Sequence, residues 1–351
     1  MKRAAYLFSI ILALTLCAST ASARLDLSAS GDPCEVENVR TDVRPDPDGP
    51  PTPIDMGVRL VDLRGISDRE QTMTVDLGVI LKWKDPRLAK LDGCEVPLDD
   101  IWSPGVMVLN SGRLITSRPR EAKVGPGGTV FYLQRYFGSI ATYHSLHKFP
   151  FDKQDFVISF ASVKYGEDEV KLIVSDKFTG RTKRLNISDW RVGQVRAEVE
   201  SMFSPAFERQ HSFYKLHIPA QRITGYYLWK VLLPLILIVM MSWAVFWIDP
   251  ARFGPQLGLS ATSMLTLIAF LFATSTMLPE LGYFTTLDIF IVGSTILVFL
   301  ALVEALTTSF LVSKDRGKLA RSMDSVCRVL FPLSFIAFVV IVILYTRAGN
   351  G

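Results

Sequence analysis

Four apolar stretches in the last third of this chain restrict it to a narrow set of folds. They cover about 226–248, 257–278, 287–312 and 326–345. At 1.5 Å per helical residue each is long enough to cross a hydrocarbon core roughly 30 Å thick. Lipid offers no partners to backbone N–H and C=O groups, so segments of this kind must become helices. The residues before them cannot share that fate, because they are polar, Pro-rich and short in period. The chain therefore divides into a membrane part and a part that meets water.

The connections orient the membrane part. Lys314, Arg316, Lys318, Arg321 and Arg328 cluster around the roughly dozen-residue join between the third and fourth stretches, and Arg252 lies between the first and second. An excess of Lys and Arg marks cytoplasmic connections. Met1-Lys2-Arg3, an apolar run to Leu16 and Ala21-Ser22-Ala23 form the pattern of a secretory signal peptide over 1–23. That places the following domain outside the cytoplasm, and four spans then return the C-terminus to the same side. Two separate arguments thus predict one topology. Trp229, Trp243 and Trp247 bracket the first span as interfacial anchors. Glu304 within the third span is costly in lipid and is expected to pair with Arg321 or Arg328.

Residues 35–225 read as β structure, and the extracellular domain is expected over 24–223. Val58 to Leu63, Thr72 to Trp83, Phe131 to Tyr136, Phe156 to Ala161, Glu169 to Val174 and Val192 to Val199 are short, β-branched or alternating, and punctuated by Gly, Pro, Asp and Ser. The expected fold is an extracellular β-sandwich followed by an α-helical four-span transmembrane domain over 224–351. Of four cysteines, only Cys34 and Cys94 fall in the exported soluble part. An oxidising compartment permits a bridge between them, the alternative being two unpaired thiols.

Several function classes have no support. The net charge is +4 with both signs mixed, and no basic stripe interleaved with aromatics suggests nucleic acid. No G-x-S-x-G, H-E-x-x-H, P-loop or Gly-rich dinucleotide turn occurs, so no enzyme, metal or cofactor is expected. The second span is the informative one. Gly258, Thr262, Leu265, Ala269, Phe272 and Thr276 recur at steps of four and three, which places them on one helical face. Hydroxyls and glycine suit a route for ions, and a ring of Leu or Phe can close such a route by dewetting. Small and hydroxylated residues also serve helix packing inside membranes, so on its own this helix supports either reading.

Motifs along the chain resemble one family. Trp83-Lys84-Asp85-Pro86-Arg87-Leu88, then Trp102-Ser103-Pro104 with Asn110, then Phe149-Pro150-Phe151-Asp152-Lys153-Gln154, then Arg222 before Tyr226-Tyr227 and Pro234, and finally Pro279 after the second span, appear in the order found in pentameric ligand-gated ion channels. The chain resembles a bacterial member of this Cys-loop receptor superfamily. The two half-cystines that flank the FPFD loop in animal relatives fall here on Thr142 and Phe156.

The resemblance implies a homopentamer in the bacterial inner membrane, in contact with membrane lipid. A small-molecule agonist or protons would open a central pore for inorganic ions, lined by the second span. Leu265 and Phe272 become the constriction. Asp152 and Arg222 become an ion pair at the junction of the two domains, with Pro150, Phe151, Asp68 and Pro279 beside it. The agonist positions that form an aromatic cage in amine-binding relatives are Gly78, Leu109 and Val163 here. The remaining candidates for a ligand site are Phe131, Tyr132 and Arg135 on one presumed face, with Phe203, Phe207 and Tyr214 around a capping loop expected over 200–211. His144, His147 and His217 are candidates for proton sensing. The cytoplasmic mouth reads Pro250-Ala251-Arg252, reminiscent of anion-selective relatives, although Asp249 or Glu280 places acid close to a mouth. A non-conducting receptor of the same fold is the alternative.

Overall fold

The computed structural model describes residues 34–36, 39–205, 208–275 and 281–348. The expected signal peptide, Phe207, Thr276 and Pro279 lie outside these residues.

The polar half forms thirteen strands among the described residues. In chain order they are β1 (Thr52–Ser67), β2 (Thr72–Lys84), β3 (Glu95–Pro97), β4 (Val106–Val108), β5 (Ser111–Thr116) and β6 (Glu121–Gly125). There follow β7 (Thr129–Ala141), β8 (Lys153–Ser162), β9 (Val170–Val174), β10 (Gly180–Arg181), β11 (Trp190–Val192), β12 (Arg196–Ser204) and β13 (Arg209–Arg222). One sheet has the order β10-β1-β2-β7-β6-β3, with β5 on β7 and β9 on β1; the other runs β11-β13-β8-β4, with β12 on β13. Period-two burial explains the sandwich. Ile54, Met56, Val58 and Leu60 of β1, Val75, Leu77, Val79 and Leu81 of β2, and Phe156, Ile158 and Phe160 of β8 all point into one core.

The motif residues of this half hold the fold together. Asp85, fully buried, caps the short helix Pro86–Leu91 by accepting from the Arg87 N–H at 3.1 Å, and pairs with the Arg87 guanidinium at 2.8 Å. Gly128 lets this corner close: its φ is +77°, and a Cβ there would lie 2.0 Å from the Asp85 carbonyl oxygen. Trp102 packs edge-on to Trp83 and donates its indole N–H to the Tyr165 hydroxyl at 2.9 Å. Asn110 ties the sheets together, donating to the carbonyls of Ala141 and Val157 and accepting from Ser159 N–H. Cys34 and Cys94 are joined by a disulfide.

Two expectations about this half need correction. Val192 to Val199 is not one strand but the end of β11 and the start of β12, separated by 193–195. Most of the stretch expected as a capping loop is a hairpin, since β12 pairs with β13 in antiparallel register from Arg196↔His217 to Ser204↔Arg209. Only Ala197 and Val199 of β12 pack against the core; from Glu200 to Phe203 the strand is exposed, so no buried face imposed an alternating pattern there.

Four helices long and apolar enough to cross a membrane follow: α1 (Gly225–Trp247), α2 (Phe253–Thr274), α3 (Thr286–Ser313) and α4 (Gly317–Ala348). α1 widens into a π-turn over Leu228–Leu232, next to Pro234, which has no N–H to donate back along the helix. α3 begins with a capping box: Thr285 accepts from the Asp288 N–H, and Asp288 accepts from the Thr285 N–H. α4 starts nine residues earlier than expected, so only 314–316 separate it from α3. Hydropathy locates the lipid-facing stretch of a helix rather than its end, and the polar residues after Gly317 are good helix formers.

Where α3 crosses α4, Gly293 faces Phe338, and a Cβ on Gly293 would sit 2.2 Å from the ring. Gly293→Ala is expected to lower the thermal midpoint of the detergent-solubilised protein, corresponding to about 1–3 kcal/mol of overpacking. Adding Phe338→Leu should recover part of that loss.

Candidate functional site

The two halves meet at Arg222, the last residue of β13. Its guanidinium is bidentate to Asp152 (Nε to Oδ1 2.7 Å, Nη2 to Oδ2 3.1 Å) and bidentate again to Asp68 (Nη1 to Oδ2 2.7 Å, Nη2 to Oδ1 2.8 Å). All three side chains are buried or nearly so. The rings of Trp190 and Phe149 cover the guanidinium at 4.2 and 4.7 Å. Burial works against the Arg222 charge, but the hydrogen bonds it donates to Asp152 and Asp68 outweigh it and hold the group above its ordinary range. Burial likewise pushes Asp68 up, yet hydrogen bonds from His144 and Arg222 prevail and keep it below the usual carboxylate range.

The cluster continues toward the membrane as a chain of polar contacts. His144 Nε2 lies 3.0 Å from Asp68 Oδ1 at one end. At the other, Gln154 donates to Asp152 at 2.8 Å and to the Ser145 carbonyl at 2.7 Å, and the Ser145 hydroxyl meets His147 Nδ1 at 2.8 Å. The His147 ring then stacks flat on Tyr283, centroids 3.9 Å apart, in the link between α2 and α3. Tyr283 accepts from the Leu146 N–H, while Thr286 N–H donates to the His147 carbonyl and Leu287 N–H to that of Phe149. Beneath these bonds Leu146, Phe149, Val231 and Leu287 form a small apolar core, against which Phe270 of α2 packs. Pro150 is buried and Phe151 half-exposed; both line an apolar cavity of about 210 Å³ against α1, α3 and α4. The loop of the outer domain is thereby knitted to α1 and α3 and to the link that follows α2.

α2 itself has two faces. Gln256, Ser260, Ser263 and Leu267 are buried inside the four-helix bundle. Gly258, Thr262, Leu265, Ala269 and Phe272 are all exposed, Leu265 by 68% and Phe272 by 75%. The hydroxyls of Thr262 and Thr266 donate to the carbonyls four residues earlier, at 2.8 Å each, which leaves their oxygen lone pairs outward.

The ligand candidates do not come together within one chain. Phe131 and Tyr132 are consecutive in β7 and so cannot share a face. Phe131 packs on Phe178, whereas Tyr132 points inward and lines a cavity of about 310 Å³ with Arg120, Gln134 and Tyr136. Arg135 is engaged by Asp76 at 2.6 and 2.8 Å. Phe203 is exposed on the other sheet. Tyr214 is wholly buried and belongs to the core: it lies edge-on to Phe160 and bonds Thr179, and burial pushes its hydroxyl up to about 12. His217 sits between Asp155 and Glu198, outside the polar chain at the joint. Trp190, which covers Arg222, leaves one signal in the sequence, a lone aromatic in the largely polar stretch 186–191. Glu304 meets neither Arg321 nor Arg328 in an ion pair, because Arg328 donates instead to the Phe246 carbonyl at 2.8 Å.

Removing the Arg222 charge strands two carboxylates, so Arg222→Gln is expected to cost about 3–5 kcal/mol in thermal unfolding. Exchanging Asp152 and Arg222 should not rescue it, since Asp68 would then face a second acid; adding Asp68→Asn to the exchange should. The depressed Asp68 carboxyl contributes stability that is present above the ordinary carboxylate range and lost as pH falls through its lower native value. Asp68→Asn should therefore flatten the acid limb of a stability-against-pH curve.

Comparison with known proteins agrees with this architecture. The model of the neurotransmitter-gated ion-channel ligand binding domain matches residues 36–222, and that of the neurotransmitter-gated ion-channel transmembrane region matches 231–318. A proton-gated ion channel of Gloeobacter violaceus is 24% identical over 294 residues, covering 82% of this chain and 81% of the relative. A gamma-aminobutyric acid receptor subunit beta-4 of Gallus gallus is 26% identical over 278 residues, covering 75% of this chain and 56% of that protein's length. The chain is a multi-pass membrane protein, and it belongs to the neurotransmitter-gated ion-channel family.

Proposed function

We propose that five copies of this chain form an ion channel in the bacterial inner membrane, with the β-sandwiches outside and the five α2 helices around a central pore. A small-molecule agonist or protons acting on the outer domain open it. The observation that carries this reading is the exposed face of α2. In a lone subunit, Thr262 and Thr266 would turn their oxygens toward lipid, where polar groups are costly. In a ring the same face meets water. Rings of Leu265 and Phe272, flanking Ala269, then close the path by excluding water, while Gly258 and Thr262 hydrate an ion in the narrower cytoplasmic part.

Opening needs the outer domain to move α2, and the joint supplies the means. The Asp68–Arg222–Asp152 cluster holds the loop over 142–152, and that loop holds the link after α2 through His147, Tyr283 and Thr286. With Thr142 and Phe156 in place of half-cystines, packing and this ion cluster hold the loop. Protons are a candidate agonist because His144 and His147 end the same polar chain, and because a relative carries the name proton-gated channel.

Purified protein in planar bilayers tests the proposal, with current recorded while pH and a panel of small molecules are varied. Leu265→Ser should ease opening, lowering the half-activating concentration about tenfold or producing spontaneous current, because a less apolar ring wets at a smaller radius. Silence of both wild type and Leu265→Ser under every condition would favour a non-conducting receptor.

A further inference from the structure

The gating path makes no use of two acids at the cytoplasmic end of the bundle. Glu304 of α3 is only 7% exposed and Asp324 of α4 is fully buried. None of their four carboxylate oxygens has a hydrogen-bond partner at ordinary distance among the described residues, yet the two side chains reach each other across the α3–α4 interface. One cation lies nearby, but it forms an ion pair with neither acid. Arg328, one turn further along α4, gives its Nε–H to the Phe246 carbonyl and sets its guanidinium toward the Trp247 ring. Cys327 of α4 and Asp249 of the α1–α2 connection are the other titratable groups that face this site. α2 carries no ionisable residue between Gly254 and Ser275; its Gln256 and Ser260, at the same end of the bundle, are buried and likewise unpartnered.

Two facing carboxylates with no donor cannot both stay ionised inside a helix bundle, since each charge is desolvated and repels the other. We propose that Glu304 and Asp324 bind one proton between them, as a carboxyl–carboxylate hydrogen bond that fastens α4 to α3 in every subunit. One residual negative charge then remains, and the neighbouring Arg328 cation offsets it. This proton site lies at the inner end of the bundle, far along the chain from the histidines of the outer joint. It concerns the packing of a single subunit and does not rest on the channel reading.

Infrared spectroscopy of the purified protein in detergent tests it at neutral pH, where exposed carboxylates are ionised. The expected result is a protonated-carboxyl C=O band that moves in heavy water and vanishes in both Glu304→Gln and Asp324→Asn. It should vanish in each because the introduced amide donates to the remaining carboxylate. The amide variants should keep the wild-type melting temperature, and theirs alone should not fall as pH is raised. A wild-type spectrum without the band, or a band that survives in either variant, overturns the shared proton. So does a melting temperature that rises with added sodium or calcium while the band is absent, which would make the pair a cation site. If neither variant assembles, wild type decides: alkaline titration must remove the band and lower the melting temperature together, and a midpoint indifferent to pH refutes the proposal.

Discussion

The guanidinium of Arg222 is the point on which this structure turns. A buried cation is tolerable only when its donors are satisfied, and here the donors bond to carboxylates from two separate stretches, Asp68 and Asp152. Of the aromatic covers, Phe149 shares the loop of Asp152, and Trp190 comes from a third stretch. Four segments distant in sequence must therefore converge before the charge can leave water. That requirement fixes the foot of the sandwich. It also fixes the entry of α1, which begins three residues after Arg222. Such a cluster contributes less to net stability than to the choice of one arrangement, and an arrangement with few alternatives suits a joint that transmits movement.

From that joint the path to α2 is short and made of unlike contacts. The polar chain ends in a ring stack on Tyr283, and the apolar contacts end on Phe270. α2 is thus held at its outer end by neighbours in its own subunit, while its Leu265 and Phe272 face is left uncovered. The same helix has to satisfy two environments. Its inward residues pack against a bundle, and its outward residues are chosen for something the isolated chain does not contain.

Much of this is legible in the amino-acid sequence alone. Span length, the basic connections and the order of the motifs all depend on local composition or on short fixed spacings, and they lead to the architecture directly. Other features were hidden for physical reasons. β12 packs only Ala197 and Val199 against the core and is exposed from Glu200 to Phe203, so its outer half carries no alternation. α4 extends past its apolar stretch because helicity and hydropathy are different properties. Trp190, the stack of His147 on Tyr283 and the facing of Glu304 with Asp324 join residues dozens or scores of positions apart.

By itself the sequence determined the class of fold, the four apolar spans and the face of α2 that differs from the rest. These follow from periodicity and from the solvent each segment can accept, which are properties of neighbours along the chain. Only the tertiary structure decided that Arg222 serves two acids rather than one, that Tyr214 belongs to the core and not to a ligand site, and that Glu304 meets another acid instead of an arginine. Partner choice among buried polar groups depends on distance and desolvation in three dimensions. A one-dimensional pattern states which residues need partners, and packing alone states which ones they obtain.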